Sequence, residues 1–78
     1  MILEMLTPEK KLFSGEARSV QLPGTEGLFE ILDNHAPIIA ALGKGAVKVL
    51  SAEGEKKFDI SGGFVECLNN KVILCVEA

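Results

Sequence analysis

Apolar and polar residues alternate along most of this chain with the two-residue period of β-strands. The pattern is clearest in the stretch "GGFVECLNNKVILCV" near the end of the sequence. It predicts a hairpin of two strands, 64–68 and 71–76, because Asn69 and Asn70 tolerate the positive φ that a two-residue turn requires. One face of this hairpin is then continuous and apolar, and it carries Val65, Cys67, Val72, Leu74 and Val76.

The same register predicts the state of the two cysteines. It pairs Leu68 with Lys71, and it therefore pairs Cys67 with Val72. Because paired residues share a face and successive residues alternate, Cys67 and Cys75 point to opposite faces of the sheet. They cannot form a disulfide with each other without breaking the hairpin. We therefore interpret both as small apolar residues in a reducing compartment.

Strand-length runs separated by turn residues also fill the rest of the chain. The stretch "AVKVLSAEGEKKFDIS" predicts a second hairpin with Glu53-Gly54 at its turn, and four shorter runs precede it: "ILEML", "ARSVQL", "GLFEIL" and "PIIAAL". No stretch has a sustained helical period, and "TPEKK" is compatible with either a single helical turn or a β-turn. The pattern predicts an all-β fold, a small two-sheet β-sandwich of short, mainly antiparallel strands in a single domain over residues 1–78.

Composition narrows the function further. The chain has 78 residues, 47% hydrophobic and 24% charged, and its net charge of −3 comes from 8 Lys and Arg against 11 Asp and Glu. A negative net charge disfavours nucleic acid as a partner, and the lack of Trp and Tyr counts against carbohydrate. No apolar run approaches the roughly 20 residues that span a bilayer, and "MILEMLTPEK" lacks the features of a signal peptide. We expect a cytosolic protein that does not insert into the membrane but could attach to it through a partner.

The only histidine, His35, is the obvious candidate for chemistry. One histidine and two cysteines on opposite faces do not supply a zinc site. A nucleophilic pair of His35 with Cys75 is conceivable, but nothing in the sequence points to an orienting group or an oxyanion hole. Gly62-Gly63 precedes a strand, which indicates a bulge or a close backbone approach and not a phosphate loop. We therefore expect no catalytic residue, no metal, no cofactor and no small-molecule substrate.

The segment around His35 is better interpreted as a shaped corner. Asn34 can adopt a left-handed conformation, and Pro37 holds Ala36 extended. His35 is then a loop or contact residue. From the residues alone, the chain is a small β-sandwich that serves as an interaction module.

Four motifs point to a family. The chain resembles the N-terminal β-sandwich domain of the epsilon subunit of F-type ATP synthases from about Leu3 to Val76. The landmarks are "LFSGEARSVQLPGTEG", "FEILDNHAP", the Gly45 and Gly54 turns and "ISGGFVE", in the order and spacing of that family. The most specific are Phe13-Ser14-Gly15, Gly24 with Gly27, His35-Ala36-Pro37 and Ser61-Gly62-Gly63-Phe64.

The resemblance implies a non-catalytic rotor subunit. Such a subunit joins the gamma subunit of the central stalk to the polar loops of the membrane c-ring, so that proton- or sodium-driven rotation reaches the catalytic head. It would be a peripheral protein at the cytoplasmic face of the bacterial cell membrane. By position, one end would face the c-ring, with Glu26, Gly27, Leu28, Asn34 and His35. The gamma-facing residues would be Thr7, His35, Ile39 and Ala40.

The sequence also departs from the family pattern. Glu30 stands where the family commonly has glycine, and Asp33 where it commonly has proline. The usual C-terminal helical hairpin does not follow Val76, so we expect these residues to lack the family's inhibitory element. Two alternatives to the stalk subunit are an unrelated β-sandwich interaction module and a minimal enzyme that uses His35 with a cysteine.

Overall fold

The computed structural model describes all 78 residues, from Met1 to Ala78, and consists of nine β-strands without a helix. It therefore contains no helix long and apolar enough to cross a membrane. The strands are β1 (Ile2–Leu6), β2 (Lys11–Glu16), β3 (Ser19–Gly24), β4 (Gly27–Leu32), β5 (Ile38–Leu42), β6 (Gly45–Ser51), β7 (Gly54–Ile60), β8 (Gly62–Leu68) and β9 (Lys71–Glu77). The predicted all-β class is confirmed.

The strands form one curled sheet with two halves. The five-stranded half has the order β2-β1-β9-β8-β5, the four-stranded half has the order β4-β3-β6-β7, and only β1 and β9 run parallel. A single residue pair, Gly24 with Leu42, joins β3 to β5. Hydrogen bonds flank this pair on both sides, from Thr25 N–H to the Ala41 carbonyl at 3.2 Å and from Gly43 N–H to the Pro23 carbonyl at 2.7 Å. The predicted two-sheet sandwich is thus approximate, because its two layers are continuous at this corner.

The core lies between the two layers. On every strand except β2, inward-facing apolar residues are buried, and each Val, Leu, Ile or Met side chain among them adds roughly 1.5–3 kcal/mol when fully buried. The five-stranded half contributes Met1, Leu3, Met5, Leu42, Val65, Cys67, Val72, Leu74 and Val76. The four-stranded half contributes Val20, Leu22, Ile31, Val47, Val49 and Ile60.

The predicted β8–β9 hairpin is confirmed residue by residue. Asn69 and Asn70 have φ of 52° and 60°, and Leu68 pairs with Lys71 as expected. Cys67 is buried in the core whereas Cys75 is exposed on the outer face, and both are free thiols. The register of a two-residue turn was therefore sufficient to assign the environments of both cysteines.

Two local features differ from the sequence predictions, and a third decides between the two alternatives predicted for residues 7–10. Strand β2, "KLFSGE", was not predicted, since its residues do not alternate and it pairs with β1 on one side only. The turn between β6 and β7 lies at Ala52-Glu53, one residue earlier than predicted, and Gly54 with φ of 109° begins β7. The segment 7–10 is a turn between two antiparallel strands and not a helical turn, with Thr7 N–H donating to the Lys10 carbonyl at 2.8 Å.

Candidate functional site

Strands β4 and β5 line one open side of the molecule, where they face each other without pairing. A groove of about 470 Å³ lies between them, lined by residues 24–29 and 38–41. We call these two segments the β4–β5 flank. Five of the eight predicted contact residues line this one groove, although they come from separate parts of the sequence: Glu26, Gly27, Leu28, Ile39 and Ala40.

The flank carries the two most exposed large apolar side chains of the protein. Ile39 is 76% exposed and Leu28 is 71% exposed, and both border the same groove. Single exposed apolar residues are common on protein surfaces, but two that share a concave site indicate a contact surface. Ala40 differs from its neighbour, because its side chain packs against the core. Leu28 and Ile39 are therefore the two exposed apolar anchors that line this groove.

The corner formed by Asp33–Pro37 lies beyond the other end of β4. Five residue steps along β4, from Gly27 to Leu32, cover about 17 Å at roughly 3.4 Å per residue. This length is most of the molecule's longest dimension of 25 Å. The family resemblance implied that the segment 26–28 and the pair Asn34-His35 form one end of the molecule. The structure instead places them at opposite ends of β4. They mark the two ends of the β4–β5 flank.

Hydrogen bonds hold the Asp33–Pro37 corner in shape. Asn34 adopts φ of 63°, as its residue type allowed, and its N–H donates to Oδ1 of Asn70 at 2.7 Å. The N–H of His35 donates to the carbonyl of Leu32 at 3.2 Å. The role of Asn70 was missed from the sequence because it lies 36 residues away, in the β8–β9 turn. The corner is thus fastened to a second turn and is not a free loop.

His35 is arranged as part of this corner and not as half of a nucleophilic pair. Its ring Nδ1 lies 2.6 Å from its neighbour's carbonyl, that of Ala36, and only its backbone carbonyl approaches Cys67, at 4.0 Å from Sγ. Cys75 lies on the outer face of the sheet. Nowhere do three or more His, Cys, Asp or Glu side chains group so as to hold a metal ion.

Thr7 does not line the groove of the flank and does not belong to the corner. Its hydroxyl is used within its own turn, where it donates to the Lys10 carbonyl at 3.1 Å and accepts from the N–H of Lys10 at 3.0 Å. It borders a different groove, of about 650 Å³, on the outer face of the five-stranded half, together with Ala41, Phe64 and Cys75. Thr7 and Ile39 therefore border two different grooves, which share Ala41.

The α-amino group of Met1 ties the corner to the start of the sheet. This ammonium group contacts Oδ1 of Asp33, lies 3.2 Å from Oε1 of Glu16 and donates to the Ala17 carbonyl at 3.0 Å. The hydrogen bond to Asp33 raises the pKa of the amino group above its usual value near 8, burial opposes the rise, and Glu16 adds to it. Asp33 thus has a partner in this chain.

This ion pair predicts a pH dependence of stability. Because the pKa of the amino group is raised in the folded state, its contribution is complete below about pH 8 and is lost as the pH rises through the folded-state pKa. We expect Asp33→Asn to reduce the free energy of unfolding at pH 7 by roughly 0.2–1 kcal/mol, the range for exposed ion pairs. The difference between parent and variant should shrink at pH 9.5, as measured by urea denaturation. An equal difference at both pH values would show that the ammonium group does not stabilise the corner.

These features define a class of protein. It is a small all-β domain in which a hydrogen-bonded corner and two exposed apolar anchors frame a groove along one open side, an arrangement that suits docking to another protein.

The family follows from comparison with known proteins. All of residues 1–78 match the family model for the β-sandwich domain of the ATP synthase delta/epsilon chain, and the chain belongs to this family. The prediction of a non-catalytic ATP synthase subunit, with an epsilon-type sandwich, is confirmed by this membership.

Individual relatives agree with the family. The chain is 50% identical over 76 residues to the ATP synthase epsilon chain of Chlorobium limicola, covering 96% of this chain and 86% of that one. Its fold matches a chain in the mitochondrial ATP synthase of Euglena gracilis, in a structure of OSCP, F1 and c-ring, with a TM-score of 0.92 at 21% identity. It also matches a chain in the central stalk and c-ring structure of the Tetrahymena thermophila enzyme, with a TM-score of 0.84 at 18% identity. Both matches include the whole of the present chain, which spans 51% of the Euglena gracilis chain and 63% of the Tetrahymena thermophila chain.

Proposed function

We propose that this chain is a rotor subunit of an F-type ATP synthase, which joins the gamma subunit to the polar loops of the c-ring. It would sit peripherally on the cytoplasmic face of a bacterial cell membrane and would help transmit ion-driven rotation. Family membership supports its place in the enzyme, and two known structures with the same fold are ATP synthase assemblies.

The observation that supports a docking role most strongly is the β4–β5 flank. Leu28 and Ile39 expose apolar side chains at one groove, and the rigid Asp33–Pro37 corner lies at its end. A subunit that transmits torque needs fixed contacts more than reactive groups, because a mobile contact would yield under load. We assign c-ring contacts to Glu26, Gly27, Leu28, Asn34 and His35. We assign gamma contacts to Ile39 and His35, with Thr7 at a separate point and Ala40 acting through the core.

Co-purification tests this proposal. The 78-residue chain, carrying a C-terminal affinity tag, is added to detergent-solubilised ATP synthase from which the epsilon subunit has been removed. We expect gamma and the c subunit to be recovered with the chain at low and moderate salt, and not with the tag alone. Recovery of neither subunit under both conditions would refute the proposed function.

A further inference from the structure

The outer edge of β4 is a free strand edge, and it faces the largely unpaired second edge of β5 across the groove. Strand β4 pairs with β3 on one side and with no strand on the other. The edge strand β7 carries four exposed charged residues, at positions 55, 56, 57 and 59, and Lys56 also lies over the ring of Phe13 in β2 at 5.6 Å. Pairing of β2 with β1 is interrupted by a bulge. Charges and bulges are the usual protection of sheet edges, whereas Glu30 is the only charge in β4.

The turn between β3 and β4 determines which backbone groups face this free edge. Thr25-Glu26 is a two-residue turn closed by the pair Gly24 and Gly27. In such a hairpin the closing pair and every second pair after it exchange both hydrogen bonds. Phe29 and Ile31 therefore bond to β3, and the residues between them point their N–H and C=O groups away from it. These outward residues are Leu28, Glu30 and Leu32.

Two hydrogen bonds agree with this assignment. Pro23, the partner of Leu28 in the ladder, uses its carbonyl on the side away from β4, where it accepts from the N–H of Gly43 at 2.7 Å. Leu32 uses its carbonyl beyond the edge, where it accepts from the N–H of His35 at 3.2 Å. The free edge is left with the N–H groups of Leu28, Glu30 and Leu32 and the carbonyls of the first two.

The side chains along this edge determine what it can bind. Leu28 is 71% exposed, Leu32 is 55% exposed, and Glu30 between them is exposed and forms no ion pair. A strand added at this edge would place three of its own side chains directly opposite these residues. Apolar residues match the two leucines, and a basic residue matches the glutamate.

We propose that the free edge of β4 binds an extended segment of a partner protein by strand addition, the segment having Lys or Arg opposite Glu30 and apolar residues two positions to either side. Main-chain hydrogen bonds supply the affinity in this mode, and alternate side chains supply the specificity. The inference rests on the proposed function only in placing the partner at the β4–β5 flank.

The test uses NMR on the ¹⁵N-labelled 78-residue protein. The probe is a capped heptapeptide with Lys at its centre, Val two positions to either side and Thr elsewhere. One control peptide has Glu at the centre, and another is N-methylated at the residues that would face β4. We expect amide shifts and slower hydrogen exchange at Leu28, Glu30 and Leu32 with the Lys peptide. Binding should be about fivefold weaker with Glu and absent after N-methylation.

A matched variant keeps the proposal falsifiable. Glu30→Lys should reverse the order, so that the Glu peptide binds more tightly than the Lys peptide. Shifts outside β4, or shifts that survive N-methylation, would overturn strand addition at this edge. So would protection that rises with protein concentration without peptide, because a second copy of the chain would then be the occupant. If the peptide does not bind at β4 but gamma and the c subunit co-purify with the chain, strand addition is refuted and the proposed rotor function is not.

Discussion

The substitution Gly63→Ala, which adds a single methyl group, is expected to lower the free energy of unfolding by about 3 kcal/mol or more. Gly63 in β8 has φ of 150°, a backbone conformation that residues with a Cβ atom adopt only with strain. Its partner in the neighbouring strand β9 is Val76. A Cβ atom at this position would meet the Cys75 carbonyl oxygen and would lie 2.8 Å from Cα of Val76. Both are backbone atoms of a central strand, so neither can move without disturbing the sheet. This loss is a large part of the total free energy of unfolding, which is expected to be roughly 4–12 kcal/mol for a domain of 78 residues.

Gly62→Ala is the matched control for Gly63→Ala. A Cβ atom at position 62 would meet only the Leu42 carbonyl oxygen, at 3.6 Å, which is an ordinary contact. Urea denaturation of the two variants should therefore show a much lower midpoint for Gly63→Ala and a small change for Gly62→Ala. Similar midpoints would mean that position 63 tolerates a side chain and that the close approach of β8 and β9 does not require glycine there.

The second large effect is expected on binding. Replacing Leu28 and Ile39 together by lysine should weaken association with gamma and the c-ring by about 30-fold or more, since buried apolar anchors often contribute 2 kcal/mol or more to an interface. Both side chains are exposed in the isolated chain, so the free energy of unfolding should change by no more than about 0.5 kcal/mol for each. Titration of the tagged chain onto epsilon-depleted ATP synthase would measure the affinity.

Leu50→Lys is the control for this pair of substitutions. Leu50 is also an exposed leucine in a strand, but it lies on β6, away from the β4–β5 flank. It should leave the affinity unchanged. Equal weakening by Leu50→Lys would point to a general effect of added charge and not to a docking site at the flank.

The sequence predicted the parts of the fold that depend on local pattern. Alternation of apolar and polar residues placed Cys67 inside and Cys75 outside, because a two-residue turn leaves only one register. Strand β2 was missed for the converse reason. Its residues do not alternate, and it is held at the edge of the sheet by pairing with β1, which a local pattern does not reveal.

The candidate site was predictable only in its local part. Asn34 and Pro37 indicated a shaped corner, and Asn34 does adopt a positive φ. The contacts that fasten this corner come from Asn70 and from the α-amino group of Met1, which only tertiary folding brings close. Strand β4 lies between Glu26 and His35 and separates them. The family resemblance nevertheless grouped them at one end.

Site-specific photo-cross-linking tests the docking flank most directly. A benzophenone amino acid is placed singly at position 28, 39 or 57 of the chain, and each variant is assembled with epsilon-depleted ATP synthase before illumination and mass spectrometry. Lys57 is the reference, since it is exposed on the outer face of the four-stranded half. We predict cross-links to the c subunit from position 28 and to gamma from position 39, and none from position 57. Cross-links to these subunits from position 57, with none from positions 28 and 39, would contradict docking through the β4–β5 flank.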